Sequence, residues 1–491
     1  MKRKLLLWGL LLTSVLCTTS CSDDKEEVIP SPEFELTPRT DADTPLFVVP
    51  GQSLELTYSA TNVSAVSAGT LPEGWTVTID ESDRSIDITA TEDAQTKATL
   101  TLTATGGGTE TASATVDLYC LNAFDDPNGA FVLNEGNMTT ENGSLIWISP
   151  EGYVFDDAYK TVNGSELGNV AQDMAFHDGK IYVISQNGDE NAVGTKFEND
   201  GMLVVMDAKT LKKVASFGRK QLSTLDWPTH IAVLDEQHIY LRDKVGIYRL
   251  DISDQENPTL TKIEGSDGAP QTPFAVLNGK IYSYEAVMLG TYLWEIGPEK
   301  DGITKIELPF VTKYDLSNVY GIRSSDDGKL WLFSFGAGNL AIGKVDPADP
   351  NGIEQRRVGK TRLTNIGASG VAFATHGDDF YYAEGTTIYH LDFSVIQEDP
   401  DDQGGTVTVE KPGAAWFADI TGFGDDDAKE LYNGLAVHPV TGNLYVNTIK
   451  GVGPFYTTNH IWVVDPSSGE PVQAYEDYTN FPAGTFFPAD K

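Results

Sequence analysis

Cysteine is scarce in this chain: Cys17, Cys21 and Cys120 are the only three in 491 residues. The first two fall in an N-terminal leader and at its junction. One thiol then remains, and one thiol makes no internal disulfide. Cys120 ends the strand-like run Leu118-Tyr119-Cys120, where it reads as a buried apolar group rather than a nucleophile. Cationic residues are also few. Lys and Arg number 34 against 72 Asp and Glu, for a formal charge of −38. Such an excess keeps a chain soluble and excludes nucleic acid or an anionic membrane surface as electrostatic partners. There are only seven histidines. None lies in HExxH or another metal-ligand spacing, and neither a GxSxG elbow nor a P-loop occurs. The carboxylate runs Asp399-Pro400-Asp401-Asp402 and Asp425-Asp426-Asp427 lack EF-hand spacing and read as solvated turns. No metal, cofactor or catalytic residue is therefore expected. Helical periodic runs are few, whereas 47 Gly and 24 Pro punctuate the chain. That balance points to an all-β fold.

What is present begins with a leader. Lys2-Arg3-Lys4 is a positive n-region, and Leu5 to Leu16 is an apolar segment too short to span a bilayer. Thr18-Thr19-Ser20-Cys21 resembles a bacterial lipobox. Residues 1–20 are read as a signal peptide and Cys21 as the lipidated residue. Residues 21–32 form an acidic tether opening Ser22-Asp23-Asp24-Lys25-Glu26-Glu27. Acidic residues directly after the lipid cysteine resemble the export signal of Bacteroidota lipoproteins displayed on the cell surface. The expected location is the outer face of the outer membrane, with the lipid as the only membrane contact.

Residues 33–121 carry several short alternating runs, among them Ser53 to Tyr58, Trp75 to Ile79, Ser85 to Ile88 and Thr99 to Leu102. Turn chemistry at Pro72-Glu73-Gly74 and Gly106-Gly107-Gly108 separates them. Short strands with turns about every ten residues predict a small immunoglobulin-like β-sandwich, although the Cys…Trp…Cys hallmark is absent. Residues 123–129 mark a boundary.

From residue 129 to 491 one pattern returns seven times. Its clearest member is a strand with an aromatic at its centre, as in Lys180-Ile181-Tyr182-Val183 and His238-Ile239-Tyr240-Leu241. A strand rich in small residues precedes it, for example Met174-Ala175-Phe176. The repeat predicts a seven-bladed β-propeller whose mid-strand aromatics pack between blades. The first unit, at Phe131-Val132-Leu133, lacks the preceding strand. The apolar stretch from Asn480 to Phe487 is expected to supply it and so close the ring.

Ligands of propellers sit where the loops joining strands two and three meet the loops entering each innermost strand. The first loop set offers Asn134, Asn137, Asn187, Arg242, Tyr284, Tyr292, Phe335, Asn447 and Tyr456. The second offers Gln172, Asp173, Trp227, Thr229, His230, Thr272, Tyr320, Ser369 and Asn433. Aromatics among amides and hydroxyls suit a large, flat, polar-edged small molecule or a sugar.

The opening Phe131-Val132-Leu133-Asn134-Glu135-Gly136-Asn137, followed by Gly143-Ser144-Leu145, resembles the YncE-like propellers of Bacteroidota surface lipoproteins. That group includes the cobalamin-binding BtuG lipoproteins, and the resemblance covers about residues 129–488. It implies capture of a corrinoid at the cell surface and its transfer to a TonB-dependent outer-membrane transporter. Two other expectations remain open: an adhesion module contacting glycans or proteins, and a propeller lactonase or lyase.

Overall fold

The computed structural model describes residues 29–37, 44–190, 194, 197–287, 290–309, 319–336, 339–359, 373–395, 415–451, 456–457 and 459–488. The expected signal peptide, Cys21, most of the tether, Ser369 and residues 399–402 lie outside them.

Seven four-stranded antiparallel sheets follow one another from residue 130 onward. Blade two shows the rule. Its strands Asn169–His177, Lys180–Gly188, Leu203–Asp207 and Lys213–Phe217 pair in chain order. The innermost strands of blades three to seven are His230–Asp235, Ala275–Leu277, Val319–Ser324, Phe373–His376 and Glu430–Val437. Alternation with both faces covered explains the near-continuous apolar runs of the second strands. The mid-strand aromatics Tyr182, Tyr240, Tyr282, Trp331, Tyr381 and Tyr445 are all buried. Each pair of consecutive blades shares its own apolar cluster. Between blades two and three, for example, Tyr182, Leu203 and Phe217 meet Ile231, Ile239 and Leu250.

Blade one is completed from the far end of the chain. Pro482–Phe486 pairs with Ala130–Asn134, setting Thr485 opposite Val132 and Phe486 opposite Phe131. Glu135 N–H donates to Phe481 O at 2.8 Å, and Asn480 N–H donates to the Asn134 side chain at 3.2 Å. Ring closure leaves no inner sheet edge open for another chain to pair with.

Ahead of the propeller, two four-stranded sheets enclose a separate core. Glu33–Thr37, Ser53–Thr61, Ser85–Ala90 and Trp75–Asp80 form one. Leu46–Val48, Thr111–Cys120, Lys97–Thr105 and Ala65–Ala68 form the other. Leu56, Ile86, Ile88, Leu100, Val116 and Cys120 meet between them. Cys120 is fully buried, and burial pushes its thiol up to about 12, out of reach of thiolate chemistry.

The sandwich is docked on blades one and two. Val49, Tyr119 and Leu121 belong to the same buried cluster as Phe131, Trp147 and Ile181. Tyr119 lies against Trp147 at 5.9 Å, and Phe124 meets the same indole edge-on at 5.1 Å. Tyr119 Oη donates to Glu151 at 3.1 Å, and Phe124 N–H donates to Lys209 O.

Candidate functional site

The second-to-third-strand connections lie at the same end as the starts of the inner strands, so the two loop sets do converge on one mouth. Not every long connection is a loop. In blade four the ladder continues outward through Tyr284 opposite Leu293, Glu285 opposite Tyr292 and Val287 opposite Gly290. Blade five does the same through Phe335 opposite Leu340. Alternating strand-forming residues carry the hairpins past the body of the blade.

Several expected ligand residues come together around the channel. Gln172 and Asp173 stand on the inner strand of blade two and are almost fully buried. His230 opens the inner strand of blade three, with Nδ1 3.4 Å from Asp173. Asp173 also accepts N–H bonds from Met174 at 2.9 Å and from Ile231 at 3.0 Å. Thr272 and Tyr284 join from blade four, both buried, and burial pushes the Tyr284 phenol up to about 12. Tyr320 is the second residue of the inner strand of blade five and is 39% exposed. Asn433 comes from blade seven with φ 44°, a left-handed conformation that Asn tolerates. Trp227, just ahead of blade three, is 41% exposed and holds φ 60°, which is unusual for a bulky residue.

Other expected residues are held in the framework. Asn134 is buried, donating to Ser144 Oγ at 3.1 Å and accepting from Asn480, so it fastens the ring. Asn447, also buried, donates to Thr485 Oγ1 in the same seam. Asn137 accepts from Thr139 and shapes its own turn, and Asn187 donates to Asn169. Thr229 is fully buried and accepts from Arg242, whose Nε and Nη2 donate to Ala269 O. Short polar side chains at a crowded inter-blade seam satisfy backbone groups before any ligand. Tyr292 lies under Lys305 at 5.6 Å, and Tyr456 stacks on Phe481 at 5.1 Å. Phe335 is placed on its strand and Ser369 lies outside the described residues. His460 is also engaged: its Nδ1 accepts from Asp477 N–H at 3.1 Å. Asp425, expected in a solvated turn, is buried and accepts from Thr448 and Trp462, because it anchors the start of blade seven.

Three residues at the mouth escaped the sequence reading. Glu135 is buried, accepts from Tyr432 Oη at 3.2 Å and Asn433 Nδ2 at 3.3 Å, and is hydrogen-bonded by Gln172. Desolvation pushes its carboxyl up to about 8, against the lowering effect of those bonds. Tyr432 is the second. The third is Arg323 on blade five, whose guanidinium burial lowers to about 10, partly offset by the Asp173 charge. A signal for Arg323 existed in the sequence: it stands in a strand position otherwise given to small residues. Nothing local marked Glu135, whose partners come from blades two and seven.

A separate cavity of about 300 Å³ lies between blades one and two. Asn142, Lys160, Glu166 and Phe197 are among its lining residues. The connection after Gln186 contributes here, since Asn199 donates to Asn142 and Gly188 O.

Seven blades closed by the last strand, with polar and aromatic groups gathered at one end of the channel, define a β-propeller protein. Residues 128–488 match the family described as Domain of unknown function (DUF5074), and the chain belongs to that family. No curated protein matches it. Among solved structures it is similar to a quinonprotein alcohol dehydrogenase-like protein from Bacteroides thetaiotaomicron VPI-5482. Identity there is 14%, with 93% of this chain and 99% of that chain covered at a TM-score of 0.53. That coverage exceeds the propeller, so the likeness in fold extends over the sandwich. A protein from Lactobacillus plantarum is 13% identical over 73% of this chain and 98% of its own, with a TM-score of 0.43.

Proposed function

We propose that this protein is a surface-exposed, lipid-anchored outer-membrane lipoprotein that captures a small nutrient at the propeller mouth. Its role is binding rather than catalysis, and it passes the ligand to a TonB-dependent transporter. The observation that carries this reading is the gathering of Gln172, Asp173, His230, Thr272, Tyr284, Tyr320 and Asn433 from five blades onto one channel. Such a wall offers amides, hydroxyls and aromatic surface held by a rigid scaffold, which suits a large polar-edged molecule. A corrinoid is the ligand favoured by the likeness of residues 131–137 to the YncE-like and BtuG propellers. We also read the N-terminal sandwich as immunoglobulin-like. Its first, third, sixth and fifth strands share one sheet, and its second, eighth, seventh and fourth share the other.

Titration calorimetry with cyanocobalamin tests the ligand. Saturable binding by the wild-type protein, weakened at least tenfold in Tyr320→Ala, is the expected result. The absence of heat and of any spectral shift with corrinoids would remove that ligand.

A further inference from the structure

One register position of the inner strands is almost uniform. Where the inner strand faces the mid-strand aromatic of its own blade, alanine recurs. Ala175 stands opposite Tyr182, Ala232 opposite Tyr240 and Ala275 opposite Tyr282. Ala374 stands opposite Tyr381 and Ala436 opposite Tyr445. Blade one places Thr485 there, opposite Val132. Blade five alone places a long cationic side chain, Arg323, opposite Trp331.

The side chain is held rather than loose. Its guanidinium carbon lies 4.7 Å over the ring of Phe373 on blade six. Phe373 in turn stacks on Phe333 at 5.0 Å with 13° between the planes. Gly321 makes room for this stack, since a Cβ there would stand 2.3 Å from Phe373 Cε1. Arg323 Nη1 donates to Ile322 O at 2.9 Å. No carboxylate among the described residues pairs with it. Asp173 acts on it electrostatically from blade two, but that carboxylate is already held by two backbone N–H groups. A guanidinium carries five N–H donors, and Arg323 is half-buried rather than sealed off, so donors that the described residues do not take up stay open to a ligand. Arg is also the side chain whose rigid fork fits carboxylate and phosphate oxygens.

We propose that the channel takes an anionic small molecule, whose carboxylate or phosphate group seats on the Arg323 fork beneath the mouth. The Phe333–Phe373 stack fixes the guanidinium plane before the ligand arrives, so little side-chain freedom is lost on binding. The inference rests on reading the mouth as the ligand site, and it names the charge class of that ligand.

The test uses the full-length protein titrated calorimetrically with inorganic phosphate and, separately, with acetate, at constant ionic strength. Arg323→Met, Arg323→Lys and the rim control Lys305→Met are compared. Saturable binding of at least one anion by wild type and Lys305→Met, lost at least tenfold in Arg323→Met, is expected. Phosphate binding alone identifies a phosphate ester, and acetate binding alone a carboxylate. Should Arg323→Met fail to fold, Arg323→Lys keeps the charge but lacks the planar fork, and its expected loss is severalfold. Equal binding by wild type and a folded Arg323 variant, or no binding of either anion by wild type, overturns the proposal. A protein that binds phosphate through Arg323 but no corrinoid loses only the corrinoid assignment. One whose corrinoid affinity and anion affinity both ignore Arg323 loses this proposal and keeps the capture reading.

Discussion

Glu135 and Asn433 are 298 residues apart in the chain, yet the Asn433 side-chain amide donates to the Glu135 carboxyl at 3.3 Å. Tyr432 reaches the same oxygen at 3.2 Å. Blades one and seven are thus joined by a buried acid as well as by a shared apolar cluster.

The acid makes stability depend on pH. Its carboxyl is pushed from 4.5 to about 8 in the folded protein, chiefly by desolvation. Between those values the folded state holds a proton that the unfolded state has released. Stability contributed by Glu135 is therefore complete below pH 4.5 and is lost as pH rises through about 8. Glu135→Gln should flatten this slope and raise stability at pH 9 relative to wild type, by on the order of a few kcal/mol. Urea unfolding of both proteins from pH 5 to 9 measures it. Parallel curves would mean that Glu135 does not titrate there.

Phe124→Ala should loosen the joint between sandwich and propeller. The ring is fully buried between Phe131 at 6.4 Å and Trp147 at 5.1 Å. Removing a buried phenyl typically costs about 3–5 kcal/mol. The denaturation midpoint followed by tryptophan fluorescence should fall accordingly, and an unchanged midpoint would argue against a continuous core.

Gly321→Ala should disturb the aromatic stack beneath Arg323. The added methyl cannot share space with Phe373, so the ring must move, at about 1–3 kcal/mol as for other overpacked sites. Gly422→Ala is the comparison, because a Cβ there meets nothing within 4 Å. Melting temperatures of the two variants decide the matter: the first should drop and the second stay close to wild type.

Cys21→Ser should release the protein from the membrane fraction if the leader is processed as a lipoprotein signal. Fractionation and surface proteolysis of cells carrying each form provide the check. Retention of the Ser variant in the membrane would exclude the lipid as the anchor.

Much of the architecture was legible because it repeats. The aromatic in the second strand of blades two to seven, Tyr182, Tyr240, Tyr282, Trp331, Tyr381 and Tyr445, is written once in each and is buried each time. The closing strand was legible because blade one visibly lacked its own. The site was less so. Gln172, His230 and Asn433 could be placed at the mouth by counting from the repeat, but counting does not reveal which polar side chains are already satisfied. Asn134, Thr229 and Asn447 look like ligand donors in sequence and spend their bonds on the seams. Glu135 acquires its character only from blades two and seven, which no local pattern brings together.

Closure by Pro482–Phe486 also bears on how the molecule is made. Asn480 meets Asn134 across 346 residues of chain, and the paired strands flank that contact. Contacts of such separation form late, because the intervening chain must first be ordered. Until then, the strand Ala130–Asn134 presents a bare inner edge beside the docked sandwich. A chain stopped short of Pro482 would keep that edge permanently. Its expected fate is strand exchange with a second copy, each molecule lending the other its missing partner.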